Sequence, residues 1–141
     1  MSKQIDPRGP RFGAAITTVV LAEILLTISS PLGIVLLTAQ TVVFGVGAFV
    51  GLHAQPYGRI YRKYVAPRLS PPKELEDVEP PTFAQLVGFV FAATGLVALL
   101  AGATTVATVA VGLALAAAFL NAAFAICLGC EMYVIGKRIL S

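Results

Sequence analysis

Apolar residues in this chain come in blocks, and the polar residues collect between them. Four blocks, Phe12–Ser29, Leu32–His53, Phe83–Ala101 and Val106–Leu128, each approach the roughly 20 residues that a helix needs to cross a bilayer core. The connections "SSPLG" and "AGATT" are short, and Pro31 and Gly33 break the chain in the first of them. This pattern predicts an all-α fold, a four-helix transmembrane bundle made of two helical hairpins. It divides a single membrane domain into a tail (1–11), a first hairpin (12–53), a loop (54–82) and a second hairpin (83–141).

Composition sharpens this reading. The chain is 57% hydrophobic and only 12% charged, against about 25% charge in a soluble domain. The first block is longer than the h-region of a signal peptide, and "TISSPLG" offers no small-residue cleavage site, so it reads as a retained helix. The positions of the charges matter more than their sum. All ten basic residues fall before the first helix (Lys3, Arg8, Arg11), between the second and third (Arg59, Arg62, Lys63, Arg68, Lys73) or after the fourth (Lys137, Arg138). Threading four spans puts all of these on one side. The positive-inside rule makes that side cytoplasmic, so a multi-pass protein of the cell membrane with both termini in the cytoplasm is expected. The net charge of +3 is this bias, and no nucleic-acid partner is needed to explain it.

The tail "IDPRGPR" reads as too rich in Pro and Gly to be helical. In the loop, Tyr57, Tyr61 and Tyr64 recur at i, i+4 and i+7 among basic residues. Tyrosine favours the headgroup level, which predicts a short interfacial helix. The following "APRLSPPKELEDVEPP" reads as a connector without regular structure. An internal repeat is suggested by Phe44 and Phe49 aligning with Phe119 and Phe124, and Arg62–Lys63 with Lys137–Arg138. The position of Cys127 then holds Leu52 in the first half. Hairpins repeated in this way would be related by an axis along the membrane normal. Gly and Ala are dense in "FGVGAFVG" and "GLALAAAFLNAAFA", as close helix packing in lipid requires, and place the second and fourth helices at the centre of the bundle.

Candidate chemistry centres on "FAICLGCEMY". It holds both cysteines of the chain, Cys127 and Cys130, followed by Glu131. On a continuous helix the three share a face, which runs back through Ala123, Leu120 and Ala116. Their spacing meets the distance a disulfide needs, and Gly129 would loosen the helix enough for its torsion. A position at the end of a helix, beside a carboxylate, disfavours a thiolate; a helix break at Gly129 that lets Cys130 open a new helix favours one. The alternative is that both are small residues buried in a membrane helix. The single histidine, His53, makes a zinc set with Cys127, Cys130 and Glu131 conceivable but poor, and neither a metal nor a cofactor is expected. Inside the bilayer, Glu23 and Gln40 fall at similar depth and are expected to hydrogen-bond as structural glue, with a functional Glu23 as the rival reading. Asn121 is expected to tie the fourth helix to a neighbour.

The segments "DPRGPRFGAAIT", "AQTVVFGVGAFVGL", "PPTFAQLVGFVFA" and above all "FLNAAFAICLGCEMY" resemble a bacterial four-helix membrane family catalogued as a domain of unknown function. The resemblance covers nearly the whole chain and implies that the CxxC at Cys127 and Cys130 belongs to the family pattern. It further implies thiol or sulfur chemistry beside thioredoxin-like or rhodanese-like proteins. The expectation is a dithiol at the cytoplasmic face that exchanges electrons or carries sulfur, with Cys130 attacking, Cys127 resolving and Glu131 relaying protons. Two rivals stand beside it: a non-catalytic scaffold with reduced, buried cysteines, and a homo-oligomeric transporter of a small sulfur species. The partners expected are the lipid bilayer, a cytoplasmic thioredoxin-like or rhodanese-like protein, and further copies of the chain.

Overall fold

A computed structural model describes residues 4–140, so the expectation that Lys3 belongs to the basic tail lies outside the described residues. The long helices are α1 (Arg8–Leu26), α2 (Pro31–Gly45, continued by a π-helical turn over Val46–Val50), α4 (Glu79–Leu100) and α5 (Thr104–Phe124). Two shorter ones, α3 (Pro56–Ile60) and α6 (Leu128–Leu140), follow α2 and α5. Each long helix is long and apolar enough to span a membrane, yet only 17–33% of each apolar stretch is buried inside the bundle. The outward positions are apolar too, among them Val19, Val35, Val42, Val90, Val97, Val109 and Leu113. A water-soluble bundle would carry charge there. The hydroxyls of Thr18, Thr38, Thr41 and Thr108 donate to carbonyls one turn back in their own helices, which satisfies them without water.

The four-helix fold is as expected, but helix ends and neighbours differ. α1 packs on α2 and α5, and α4 packs on the same two, so the long helices form a ring and neither α2 nor α5 is central. Leu21, Ile24, Leu37, Phe44, Ala92, Val111 and Ala114 fill its core. Of the small residues expected to pack, Gly45 and Gly47 do so, a Cβ lying 3.3 Å from the Phe89 ring and 2.6 Å from Gln85 Oε1, whereas one at Gly112 meets nothing; Gly88 and Gly95, outside those stretches, pack on Phe44 and Val111. α1 begins at Arg8, inside the tail expected to be irregular. Pro10 falls in its first turn, where a missing N–H costs nothing, and the Asp6 carboxylate accepts the Arg8 backbone N–H at 2.9 Å.

The connector also has structure. Gln4–Ile5 (β1) pairs antiparallel with Glu76–Asp77 (β2), tying the tail to the segment before α4. Arg8 bridges Asp6 at 2.9 Å and donates to the Ser70 carbonyl. Hydrogen bonding from Arg8 holds the Asp6 carboxyl below its ordinary value. Two of the three tyrosines expected at the headgroup level, Tyr57 and Tyr61, turn their hydroxyls onto partners within the protein. Tyr61 is 2% exposed, and its hydroxyl donates to Asp6 at 2.8 Å. The Tyr57 hydroxyl donates to Gln40 Oε1 at 2.7 Å, and burial pushes its pKa up, so it stays a neutral donor. Only Tyr64 is exposed. Gln40 is thus paired with Tyr57 and not with Glu23, and its Nε2 is buried without a partner. Glu23 is exposed, three residues from the end of α1, whereas Gln40 lies nine residues into α2; their depths differ.

Candidate functional site

α5 stops at Phe124 because Ala125 adopts a left-handed conformation, φ 59°. The N–H groups of Ala125 and Ile126 turn back onto the Asn121 and Leu120 carbonyls and satisfy the end of the helix. Arg11 donates to the Ala122 carbonyl at 3.1 Å and ties the same end to α1. After three intervening residues α6 begins at Leu128. The break covers residues 125–127, so it contains Cys127, precedes Cys130 and does not fall at Gly129. Cys127, Cys130 and Glu131 do not continue the face of Ala116, Leu120 and Ala123, which belongs to α5.

Cys127 sits immediately before α6 and acts as its cap. Its carbonyl accepts the Glu131 N–H at 3.0 Å, and its Sγ accepts the Cys130 N–H at 3.1 Å. That is the hydrogen bond a Ser or Asp makes at an N-cap, here made to sulfur. Cys127 and Cys130 are joined as a disulfide with Cα atoms 5.1 Å apart. Both are half-buried, and the Glu131 side chain is exposed.

Gly129 has a different task from the loosening expected of it. A Cβ there would lie 2.6 Å from both Cα and Cβ of Ala84, so only glycine lets α6 approach α4 this closely. One turn on, Tyr133 packs against Phe83 of α4, ring centres 5.7 Å apart, with Lys137 Nζ 5.9 Å from the tyrosine ring. These contacts fix α6, and with it Cys130 and the capping Cys127. His53 is exposed and does not join the pair; among the described residues, no group of three or more His, Cys, Asp and Glu is placed to hold a metal. Asn121 bonds Ala125 through its backbone carbonyl.

A signal for the separate helix was present in the sequence. Glu131 lies in the first turn of α6, Lys137 and Arg138 in its last, matching the helix dipole at each end.

The elements also repeat in order: two long helices and a short one, twice. Each second long helix ends at a residue of positive φ, Gly51 at 136° and Ala125 at 59°. In the first half, Gln55 caps α3, its Oε1 accepting the Gly58 N–H three residues on at 2.8 Å. By role, the counterpart of Cys127 is thus Gln55, not Leu52.

The fold and site define a small protein with four candidate membrane spans and a CxxC pair at the N-terminus of a short sixth helix, α6, flanking the bundle. The chain belongs to the family DUF4395, a domain of unknown function, whose model matches residues 5–138. No curated protein and no solved structure matches it.

Proposed function

We propose that this protein is a membrane-held dithiol–disulfide that exchanges with a thioredoxin-like partner on the cytoplasmic side. The observation that carries the reading is Cys127 capping α6. A sulfur that accepts a backbone N–H at a helix N-terminus is stabilised as a thiolate, the form that attacks disulfides. The expected roles of the cysteines therefore reverse: Cys127 attacks and Cys130, one turn inside α6, resolves. The assignment of Cys130 as attacker rested on its lying nearer water and on a break at Gly129; both cysteines are half-buried, and the break lies earlier.

In the exchange, a partner thiolate attacks Cys127 Sγ and the Cys127–Cys130 bond breaks, with Cys130 leaving as a thiolate that takes up a proton. The partner's second thiolate then attacks its own mixed-disulfide sulfur and releases Cys127. The partner's dithiol is oxidised to a disulfide and this protein's disulfide is reduced; the reverse sequence runs the other way. Exposed Glu131, beside Cys130, is the acid or base for these proton transfers. The cytoplasmic side is supported by the basic residues, which cluster at the bundle end carrying the pair.

The test uses single-cysteine variants of the full protein in membranes, with oxidised glutathione as the probe. Cys130→Ser should form the mixed disulfide roughly tenfold faster than Cys127→Ser, because a capping sulfur has the larger thiolate fraction. Equal, sluggish reaction of both in folded protein would favour the scaffold and defeat the exchange reading. Faster reaction of Cys127→Ser would restore Cys130 as the attacker.

A further inference from the structure

α6 has an outer face that nothing in the bundle covers. Leu128, Met132, Ile135 and Ile139 recur at offsets of four, three and four residues and form one stripe along a helix. Their exposures are 41%, 53%, 54% and 78%. Gly129 and Tyr133 face α4. Val134 lies on another side, in a cleft that Asp77, Glu79, Lys137 and Arg138 line together with Pro80 and Tyr133. At about 100° per residue, Cys127 and Cys130 fall on the Val134 side, away from the stripe.

The chain fixes where this stripe must be. Three residues separate α6 from the end of the span α5, and the four steps from Phe124 to Leu128 reach at most about 14 Å. The contacts of Gly129 with Ala84 and Tyr133 with Phe83 hold α6 beside the apolar start of α4. It cannot swing out into bulk water while these contacts last.

We propose that the stripe rests on the phospholipid surface, in the boundary between headgroups and acyl chains, and that α6 thereby turns the disulfide toward water. An amphipathic helix at this depth buries its apolar face in that boundary and keeps its polar face wet. Lys137, above the Tyr133 ring, sits at headgroup level, where basic and aromatic residues belong. Lipid is the occupant because the spans on either side of α6 already define the membrane at this level. For exchange, and resting there on the proposed function, the consequence is that the partner reaches the pair from solution and not from within the bilayer.

The chain contains no tryptophan, so one introduced indole reports alone. Met132→Trp and Val134→Trp are reconstituted at one copy per nanodisc, in lipids brominated near the headgroup end of their chains. The indole at position 132 should be quenched severalfold more strongly by the bromines than that at 134, and iodide in the buffer should show the opposite order. Ile135→Trp repeats the stripe measurement should Met132→Trp fail to fold. Equal bromine quenching at 132 and 134, or iodide reaching the stripe freely, overturns the proposal. So does an indole at 132 that is shielded only when several copies share a disc, because the stripe is then a contact between chains. None of these readings depends on the cysteines, so loss of glutathione reactivity with quenching intact would defeat the exchange reading alone.

Discussion

Gln40 is buried to 1% exposure in the middle of α2, and its carbonyl depends on a hydroxyl delivered from outside the spans by Tyr57. Tyr57→Phe should leave that carbonyl without a donor and lower stability by about 1 kcal/mol, the usual scale for such bonds in lipid. Gln40→Leu in the same background should restore most of the loss, because removing both partners also removes the buried Nε2 that has none. Thermal unfolding of the single and double variants in one detergent measures both. A double variant as unstable as the sum of its parts would mean that the side chains pack independently and that the hydrogen bond contributes nothing. Tyr57 also shows a limit of pattern reading. Tyrosines at i, i+4 and i+7 fit a lipid interface, and the same spacing fits a helix whose hydroxyls reach Gln40 and Asp6. Only the fold of the tail and loop, with Asp6 beside Arg8, decides between them.

Among the elements, α6 depends most on a single close approach. In an isolated helix, alanine in place of Gly129 is favourable by roughly 1 kcal/mol. In this protein the new methyl would meet the Ala84 backbone at 2.6 Å, a contact that cannot rotate away. Gly129→Ala should cost roughly 1–3 kcal/mol, as overpacked interfaces do, and should speed trypsin cleavage after Lys137 and Arg138. Ala84→Gly should return only part of the loss, since the Ala84 Cα lies as close as its Cβ. Unchanged proteolysis in Gly129→Ala would show that α6 is held by other contacts. The four spans were legible because about 20 apolar residues in a row have few other solutions. The start of α6 was not, because no Gly or Pro marks residues 125–127. Ala125 takes a left-handed conformation that its own side chain disfavours, which the docking of Gly129 and Tyr133 on α4 accounts for. The sequence pointed instead to Gly129, the one helix breaker in view, which serves packing. The cysteines, their spacing and the Glu131 beside them were readable; which sulfur caps a helix was not.

For the molecule as a whole, an even number of antiparallel spans brings the start of α1, the loop between α2 and α4, and α6 to one end. A reporter enzyme fused after Ser141 and another inserted near Pro72 should therefore agree with each other, and both should report cytoplasm. Agreement on the opposite side would move the cysteine pair to the periplasm and remove the thioredoxin-like partner on the cytoplasmic side. Disagreement between the two would contradict the four-span fold itself.

The two halves of the chain also place the same job, holding the N–H of the third residue of a short helix, in different hands: an amide oxygen at Gln55 and a sulfur at Cys127. An architecture that accepts either atom in that slot does not require a thiol for its own integrity. Cys127→Gln should therefore leave α6 capped and the bundle folded, as its far-ultraviolet circular dichroism and thermal unfolding in detergent would show.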